Sequence, residues 1–242
     1  MTLLQVPRHV AVIMDGNGRW AEMKKMPRVF GHRAGMKSVR RAVEYAHQNK
    51  IQYLTLFAFS MENWGRPRDE VDALMNLLKE YIDRELSEMV SKGIRLNVIG
   101  NRDMIPGHVQ ERIDYALAET GENDGLVLTL ALSYSGRDEI VRAVQKILDE
   151  GRHEKGAELL DENEFGRFLD TSGIPDPDLL IRTSGEIRIS NFMLWQLAYT
   201  EIYITDKLWP QFTKKDFDRA IREFSRRKRR FGLTREQVDA SP

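Results

Sequence analysis

The first residues whose types and spacing suggest chemistry lie in the stretch VAVIMDGNGRW, residues 10–20, where an apolar run stops at Asp15 and Gly16, Asn17, Gly18 and Arg19 follow. Gly16 and Gly18 can adopt backbone angles closed to other residues and let a ligand approach the main chain, so consecutive N–H groups can converge on an anion. Arg19 adds positive charge. A carboxylate beside an anion repels it unless a cation such as Mg2+ lies between them, which makes Asp15 the acid of a candidate metal–diphosphate cradle. A tight turn capped by Asp accounts for DGNG alone and is the commoner outcome for such a tetrapeptide. Gly16 to Ala21 also fits the loose dinucleotide-binding fingerprint, but the context fails. Pro27 interrupts soon after, and the next strand, ending near Ser60, lies far beyond the roughly 20 residues that fingerprint requires.

Three further clusters carry polar groups. FSMENWGRPRDE holds Ser60, Asn63, Trp64, Arg66 and Glu70, and Asn63 offers a neutral donor and acceptor suited to orienting a proton transfer or a leaving oxygen. Pro67 forces an extended or turning backbone there, with Asp69 a candidate helix cap. RTSGEIRISN holds Arg182, Arg188 and Ser190, and two arginines around a Ser-Gly turn can grip a diphosphate bidentately where lysine would act as a point charge. PRVFGHRAG adds Arg28, His32 and Arg33. An isolated arginine is usually a solvated surface residue, whereas three basic loops at one sheet edge form an anion site.

The elements that must position these groups follow from hydrophobic pattern. Residues 10–14 read as a strand buried on both faces, and strand-like runs recur at 52–59, 94–100, 126–132, 178–183 and 201–205. Helical patterns lie between them, including a long one from Asp69 to Lys92 with a wide apolar face, ended by Gly93. Alternating strand and helix predicts one α/β domain over residues 1–242, with a central, mostly parallel six-stranded sheet flanked by helices. Ligands of such sheets bind at the carboxyl ends of the strands. The long apolar face reads as core, or as one wall of an apolar tunnel between sheet and helices; spacing does not separate the two.

Composition bounds the rest. Lys plus Arg equals Asp plus Glu at 37 each, so net charge makes no case for nucleic acid. The basic run SRRKRRFG, residues 225–232, is explained by cations at a helix carboxyl end, leaving RNA a minor alternative. There is no cysteine, which excludes disulfides, thiolate metal sites and a cysteine nucleophile, and the five histidines are scattered, against a zinc site. The amino terminus lacks signal-peptide character and no apolar run approaches the length of a membrane span, so a cytoplasmic protein is expected.

Taken together, HVAVIMDGNGRWA, GHRAG, LTLFAFSMENWGRP, YSGRDEIV, PDLLIRTSGEIRISNFMLWQLAYTEIYIT and WPQF closely resemble, in order, the blocks of the cis-prenyltransferases, in particular the undecaprenyl diphosphate synthases, from about His9 to Gly232. The resemblance implies extension of farnesyl diphosphate by isopentenyl diphosphate with cis double bonds to a product near C55, the lipid carrier precursor of cell-wall polysaccharide. It implies Asp15 as catalytic acid and Mg2+ ligand with Glu201. Gly16, Asn17, Gly18, Arg19, Trp20 and Arg28 would hold the allylic diphosphate, and Arg182, Arg188 and Ser190 the isopentenyl diphosphate. His32, Ser60, Asn63, Trp64, Arg66 and Glu70 would surround the reacting groups, with Asn63, a phosphate oxygen or another group taking the proton. Ala58 matches a position that keeps a chain tunnel open. A homodimer is implied, with Arg230-Phe231-Gly232 resembling an element that reaches a neighbouring active site, and with transient contact at the inner face of a membrane during product release. Ser133 and Ser135 depart from the family's usual Asn and Gly, which puts the local loop shape in question. A Mg-dependent phosphohydrolase and a non-catalytic prenyl-binding subunit remain as alternatives; the first gives no reason for a long apolar face, and the second predicts lost diphosphate ligands that are all present.

Overall fold

The computed structural model describes residues 5–151 and 160–227. Arg230-Phe231-Gly232 and the end of the basic run lie outside these described residues. Six strands, β1 (His9–Ile13), β2 (Tyr53–Ser60), β3 (Arg95–Ile99), β4 (Val127–Tyr134), β5 (Leu179–Thr183) and β6 (Glu201–Thr205), form one sheet in the order β3-β4-β2-β1-β5-β6. Every neighbouring pair is parallel, so the expected mostly parallel sheet is wholly so. All five residues of β1 are buried, as a central strand covered on both faces must be.

Alternation along β1 separates two cores. Val10 and Val12 join the large cluster beneath α2 (Arg28–Gln48), α3 (Arg68–Ser91), α4 (Gly107–Thr120) and α7 (Lys214–Arg226). Ala11 and Ile13 face the other way, toward Phe192 and Met193. α5 (Gly136–Asp149) and α6 (Glu162–Gly166) pack through Ala143, Ile147, Phe165 and Leu169. The long helix runs within a residue of its expected span, but its N-cap is Pro67. Asp69 sits inside the first turn, where a carboxylate suits the helix dipole better than it could as a cap preceded by Pro67. Gly93 follows at φ +65°, a left-handed stop.

Two local features shape the edge where the candidate residues collect. Helix α1 (Asn17–Met23) lies against α2 so closely that a Cβ on Gly31 would stand 1.9 Å from the Asn17 carbonyl oxygen, and one on Gly35 2.4 Å from Asn17 Oδ1. On β2 the register with β4 shifts between Phe57 and Phe59, so Ala58 occupies a β-bulge. A bulge re-aims a side chain and ends regular pairing near a functional edge.

His9 anchors the amino end of β1. Its Nδ1 lies 2.6 Å from the Pro175 carbonyl oxygen, which can only accept, and its Nε2 2.8 Å from Thr55 Oγ1. A neutral ring therefore donates through Nδ1 and accepts at Nε2. Burial drives its pKa down to about 4, against a favourable contribution from Pro175 and Asp178. The folded-state value lies below the unfolded one, so between about pH 4 and 6.5 the unfolded chain binds more protons. Stability from this group is complete above pH 6.5 and is lost as pH falls toward 4, up to about 3 kcal/mol. His9→Gln, which can donate and accept without titrating, is expected to flatten the decline of melting temperature between pH 6.5 and 4.5. An unchanged slope would remove His9 from the acid sensitivity.

Candidate active site

The carboxyl ends of β1 and β5 lie side by side, and there Asp15 meets Arg182. Arg182 Nη2 donates to Asp15 Oδ2 at 2.9 Å, and the Arg182 side chain is only 3% exposed. Its Nη1 donates to Ser190 Oγ at 2.8 Å and to the Arg188 carbonyl oxygen. Arg19 Nη2 stands 3.6 Å from the same Asp15 oxygen and donates to Ser184 Oγ, while Nη1 donates to the Ser184 carbonyl at 3.1 Å. The backbone oxygen of Asp15 accepts from Thr183 Oγ1 at 2.7 Å and from the Trp209 amide at 2.9 Å.

Gly16 follows at φ +103° as the left-handed N-cap of α1, with Leu208 packed against it. The Arg28 guanidinium lies over Gly18 so closely that a Cβ there would stand 2.6 Å from it. Arg28 and His32 belong to the first turns of α2, where the Pro and Gly of PRVFGHRAG point to a loop. Arg33 points away to Glu80, 3.8 Å distant, and adds nothing to the site. Glu70 gathers the remaining charges: Arg66 Nη1 donates to it at 3.0 Å, Arg28 Nε lies at 3.6 Å and His32 Nε2 at 3.8 Å. Burial first, and then the cations Arg66 and Arg28, hold the His32 pKa down to about 4 against the pull of Glu70, so the ring is neutral at pH 7.

Asn63 and Trp64 lie on a 3-10 turn, Met61–Gly65, and not in an open loop. Asn63 Oδ1 accepts from the Ser60 amide at 3.1 Å in a reciprocal capping box, which leaves its amide NH2 as the free function. Trp64 packs edge-on against Phe59 and donates from Nε1 to Ser133 Oγ at 3.0 Å. Ser135 Oγ accepts from Asn191 Nδ2 at 2.6 Å and from the Asp138 amide as the N-cap of α5. Both serines at the departure points thus hold neighbouring loops.

Three cavities meet at this edge. One, about 490 Å3, is polar and runs from Asp15 past Gly16, Gly18 and Arg19 to Arg28. A second, about 720 Å3, lies between Asp15, Ser60, Asn63, Arg66, Arg182 and Ser190. A third, about 640 Å3, is apolar and extends between the sheet and helices α2 and α3, lined by Leu56, Leu74, Leu78 and Tyr81 among others. Met14, Asn17 and His32 line all three. Ala58 lines the second and the third and stands at their junction. Trp20, half-buried on α1, lines none of them.

Glu201 is not brought to Asp15. It is the first residue of β6, in register with Leu179 at the start of β5, whereas Asp15 follows the end of β1. In a parallel sheet these are opposite edges, and within this chain Glu201 accepts from Arg227 Nη1 at 2.9 Å instead. Among the described residues no three His, Cys, Asp or Glu side chains cluster as a complete metal site. Asp15, with an accessible carboxylate beside a cavity lined by Arg19, Arg28 and Arg66, suits Mg2+, which is commonly held by one or two carboxylates together with substrate phosphates. Thr183 and Ser184, which belong to the basic cluster after β5, also build the site, as does Leu208, to which no residue pattern points.

Comparison with known proteins agrees with this geometry. The family model described as putative undecaprenyl diphosphate synthase matches residues 13–232. An isoprenyl transferase of Listeria monocytogenes serotype 4b (strain F2365) is 51% identical over 95% of this chain and 91% of its own length. One from Geobacter sulfurreducens is also 51% identical, over 97% and 96%. Among solved structures, lavandulyl diphosphate synthase from Lavandula x intermedia in complex with dimethylallyl diphosphate superposes with a TM-score of 0.90 at 36% identity, over 94% of this chain and 98% of that one. A probable undecaprenyl diphosphate synthase from Campylobacter jejuni superposes with a TM-score of 0.79, also at 36% identity, over 94% and 99%. With its parallel sheet, its paired polar cavities and its adjoining apolar cavity, the chain belongs to the undecaprenyl diphosphate synthase family of cis-prenyltransferases.

Proposed function

We propose that this prenyltransferase condenses isopentenyl diphosphate units onto farnesyl diphosphate, with Mg2+, to give undecaprenyl (C55) diphosphate for cell-wall polysaccharide synthesis. The observation that carries the reading is the meeting of two arginine-lined cavities at Asp15 with an apolar cavity at the same junction. Two diphosphate heads and one growing hydrocarbon need that set of environments. The complex of a solved neighbour with dimethylallyl diphosphate, an allylic diphosphate, supports the substrate class.

In this reading the amides after Gly16, with Arg19 and Arg28, bind the allylic diphosphate, and Arg182, Arg188 and Ser190 bind the isopentenyl diphosphate. The allylic C–O bond breaks, its carbon joins the terminal carbon of the isopentenyl unit, and a proton leaves that unit. Arginine donors gain strength as the departing diphosphate gains charge, so they favour the transition state over the ground state. Asp15, together with substrate phosphate, would hold Mg2+, which would supply further neutralisation of that charge. Asn63 retains its NH2 as a donor for a substrate oxygen, while its carbonyl stays engaged with the Ser60 amide. The neutral His32 adds no charge where the chain passes from polar to apolar surroundings.

A homodimer is supported by apolar surface. Val141, 67% exposed, with Val144 and Leu148 forms an uncovered stripe along α5, and Trp195, Tyr199 and Ile202 are exposed nearby in sequence to β6. Among the described residues no helix is long and apolar enough to cross a membrane. Contact with the inner face of a membrane, in this reading, is transient and confined to product release. Nucleic acid has no part in it.

The direct test is incubation with farnesyl diphosphate, labelled isopentenyl diphosphate and Mg2+, with and without EDTA, followed by chain-length analysis; a metal-dependent ladder ending near C55 is expected. Asp15→Asn should lower kcat by about 100-fold or more while far-UV circular dichroism stays native. Near-wild-type turnover in that variant would remove the acid from the mechanism. Ala58→Leu narrows the junction and should shift products to shorter chains by mass spectrometry. An unchanged distribution would mean that growing chains do not pass Ala58.

A further inference from the structure

Two walls bound the second polar cavity. One is the 3-10 turn Met61–Gly65, which presents Asn63 beside Ser60. The other is the loop after β5, which presents Ser190 beside Arg182. The residue adjoining each presented group stands outside the cavity, and the two meet: Asn191 Nδ2 donates to Glu62 Oε1 at 3.0 Å.

Asn191 commits its other polar atoms to a third segment, the turn from β4 into α5. Its Nδ2 also donates to Ser135 Oγ at 2.6 Å, its Oδ1 accepts from the Arg137 amide at 3.0 Å, and its backbone oxygen accepts from the Gly136 amide at 2.7 Å. Gly136 permits this approach, since a Cβ there would stand 2.8 Å from the Leu194 side chain and 3.1 Å from the Asn191 oxygen. With φ at +59°, Asn191 holds a left-handed backbone that asparagine and aspartate tolerate better than other side chains. Of these bonds, the one to Glu62 reaches the turn that carries Asn63. Glu62 is exposed, and its own turn is ordered by the capping box between Ser60 and Asn63, so both ends of the contact are anchored.

We propose that the Asn191–Glu62 contact is a strut that fixes the separation of Ser190 from Asn63, making Asn191 and Glu62 positioning residues for the isopentenyl diphosphate held between the two walls. Neither residue touches the substrate; each acts through its neighbour in the chain. The inference rests on the elongation activity and the isopentenyl site proposed for this chain, and wild-type enzyme assayed in parallel separates failure of that activity from failure of the strut.

The test is Asn191→Asp, which keeps the side-chain shape and suits the same backbone. The new carboxylate still accepts from the Arg137 amide and takes a hydrogen bond from the Ser135 hydroxyl, but it faces Glu62 with like charge. KM for isopentenyl diphosphate should rise about tenfold. KM for farnesyl diphosphate should stay within about twofold of wild type, because Asn63 and Ser190 do not line the first polar cavity. Glu62→Gln alone keeps an oxygen acceptor for Asn191 and should raise the isopentenyl KM by no more than about twofold. Combined with Asn191→Asp, Glu62→Gln turns an amide donor toward the new carboxylate and should bring that KM back to within about threefold of wild type. A loop merely loosened by its own substitution would not be rescued from the opposite wall. An unchanged isopentenyl KM in Asn191→Asp overturns the proposal, as does an equal rise in both KM values or a double variant no better than the single one. Should Asn191→Asp melt below assay temperature, Glu62→Ala decides: an isopentenyl KM raised about threefold or more supports the strut, and an unchanged one overturns it. Should wild type not elongate, that activity fails, and dissociation constants for isopentenyl diphosphate by calorimetry take the place of KM. The same pattern among the variants then supports the strut, whereas equal constants for wild type and Asn191→Asp, or no binding to either, overturn it.

Discussion

The ion pair between Arg182 and Asp15 is the constraint on which the rest of the catalytic edge depends. A guanidinium only 3% exposed needs a counter-charge, and the partly exposed Asp15 supplies it. The pair joins the ends of β1 and β5, the point where the sheet order reverses: β2, β4 and β3 lie to one side of β1, β5 and β6 to the other. Open α/β sheets leave a crevice there. From the same arginine, bonds to Ser190 Oγ and the Arg188 carbonyl draw the loop after β5 over the crevice. That loop is strained, with Ser184, Ser190, Asn191 and Met193 all at positive φ, and it keeps its shape because these contacts over-determine it. Through its backbone oxygen Asp15 also ties down Thr183 and the turn at Trp209. The Arg182 guanidinium and the Asp15 residue together thus order three segments that are distant in the chain.

Most of the architecture is legible in the sequence because buried parallel strands are short, β-branched and bounded by turns, as residues 10–14 are. The Asp15-Gly16-Asn17-Gly18 turn and the basic clusters can be placed at one edge on that basis alone. Finer geometry is not legible, for physical reasons. Periodicity does not reveal a register shift, so the bulge that presents Ala58 cannot be seen in LTLFAF. PRVFGHRAG reads as a loop because of its Pro and two glycines, yet these glycines lie inside a helix, where they admit the Asn17 backbone and side chain. Glu201 is instructive in the opposite sense. Its place at the start of a strand in a parallel sheet already puts it at the edge away from Asp15, a conclusion available from topology but masked by motif matching. The roles of Ser133 and Ser135 depend on long-range partners, Trp64 and Asn191, that no local pattern encodes.

The division of charge at the junction explains how one site can hold two diphosphates and a hydrocarbon without mixing them. The cations facing the cavities have acidic partners nearby: Arg19 and Arg182 by Asp15, Arg28 and Arg66 by Glu70. They are therefore fixed in direction before any anion arrives, and little reorganisation is required when charge develops. The three residues common to all cavities, Met14, Asn17 and His32, are uncharged at pH 7, the last because burial and flanking arginines keep its ring neutral. A protonated ring at that point would hold an anion at the neck and would have to be desolvated by each passing methylene. With a neutral ring, the arginines retain the diphosphate while the chain slides into a wall of leucines. The acid–arginine pair at the sheet edge and the apolar face of α3 are then two halves of a single arrangement, joined where the charge ends.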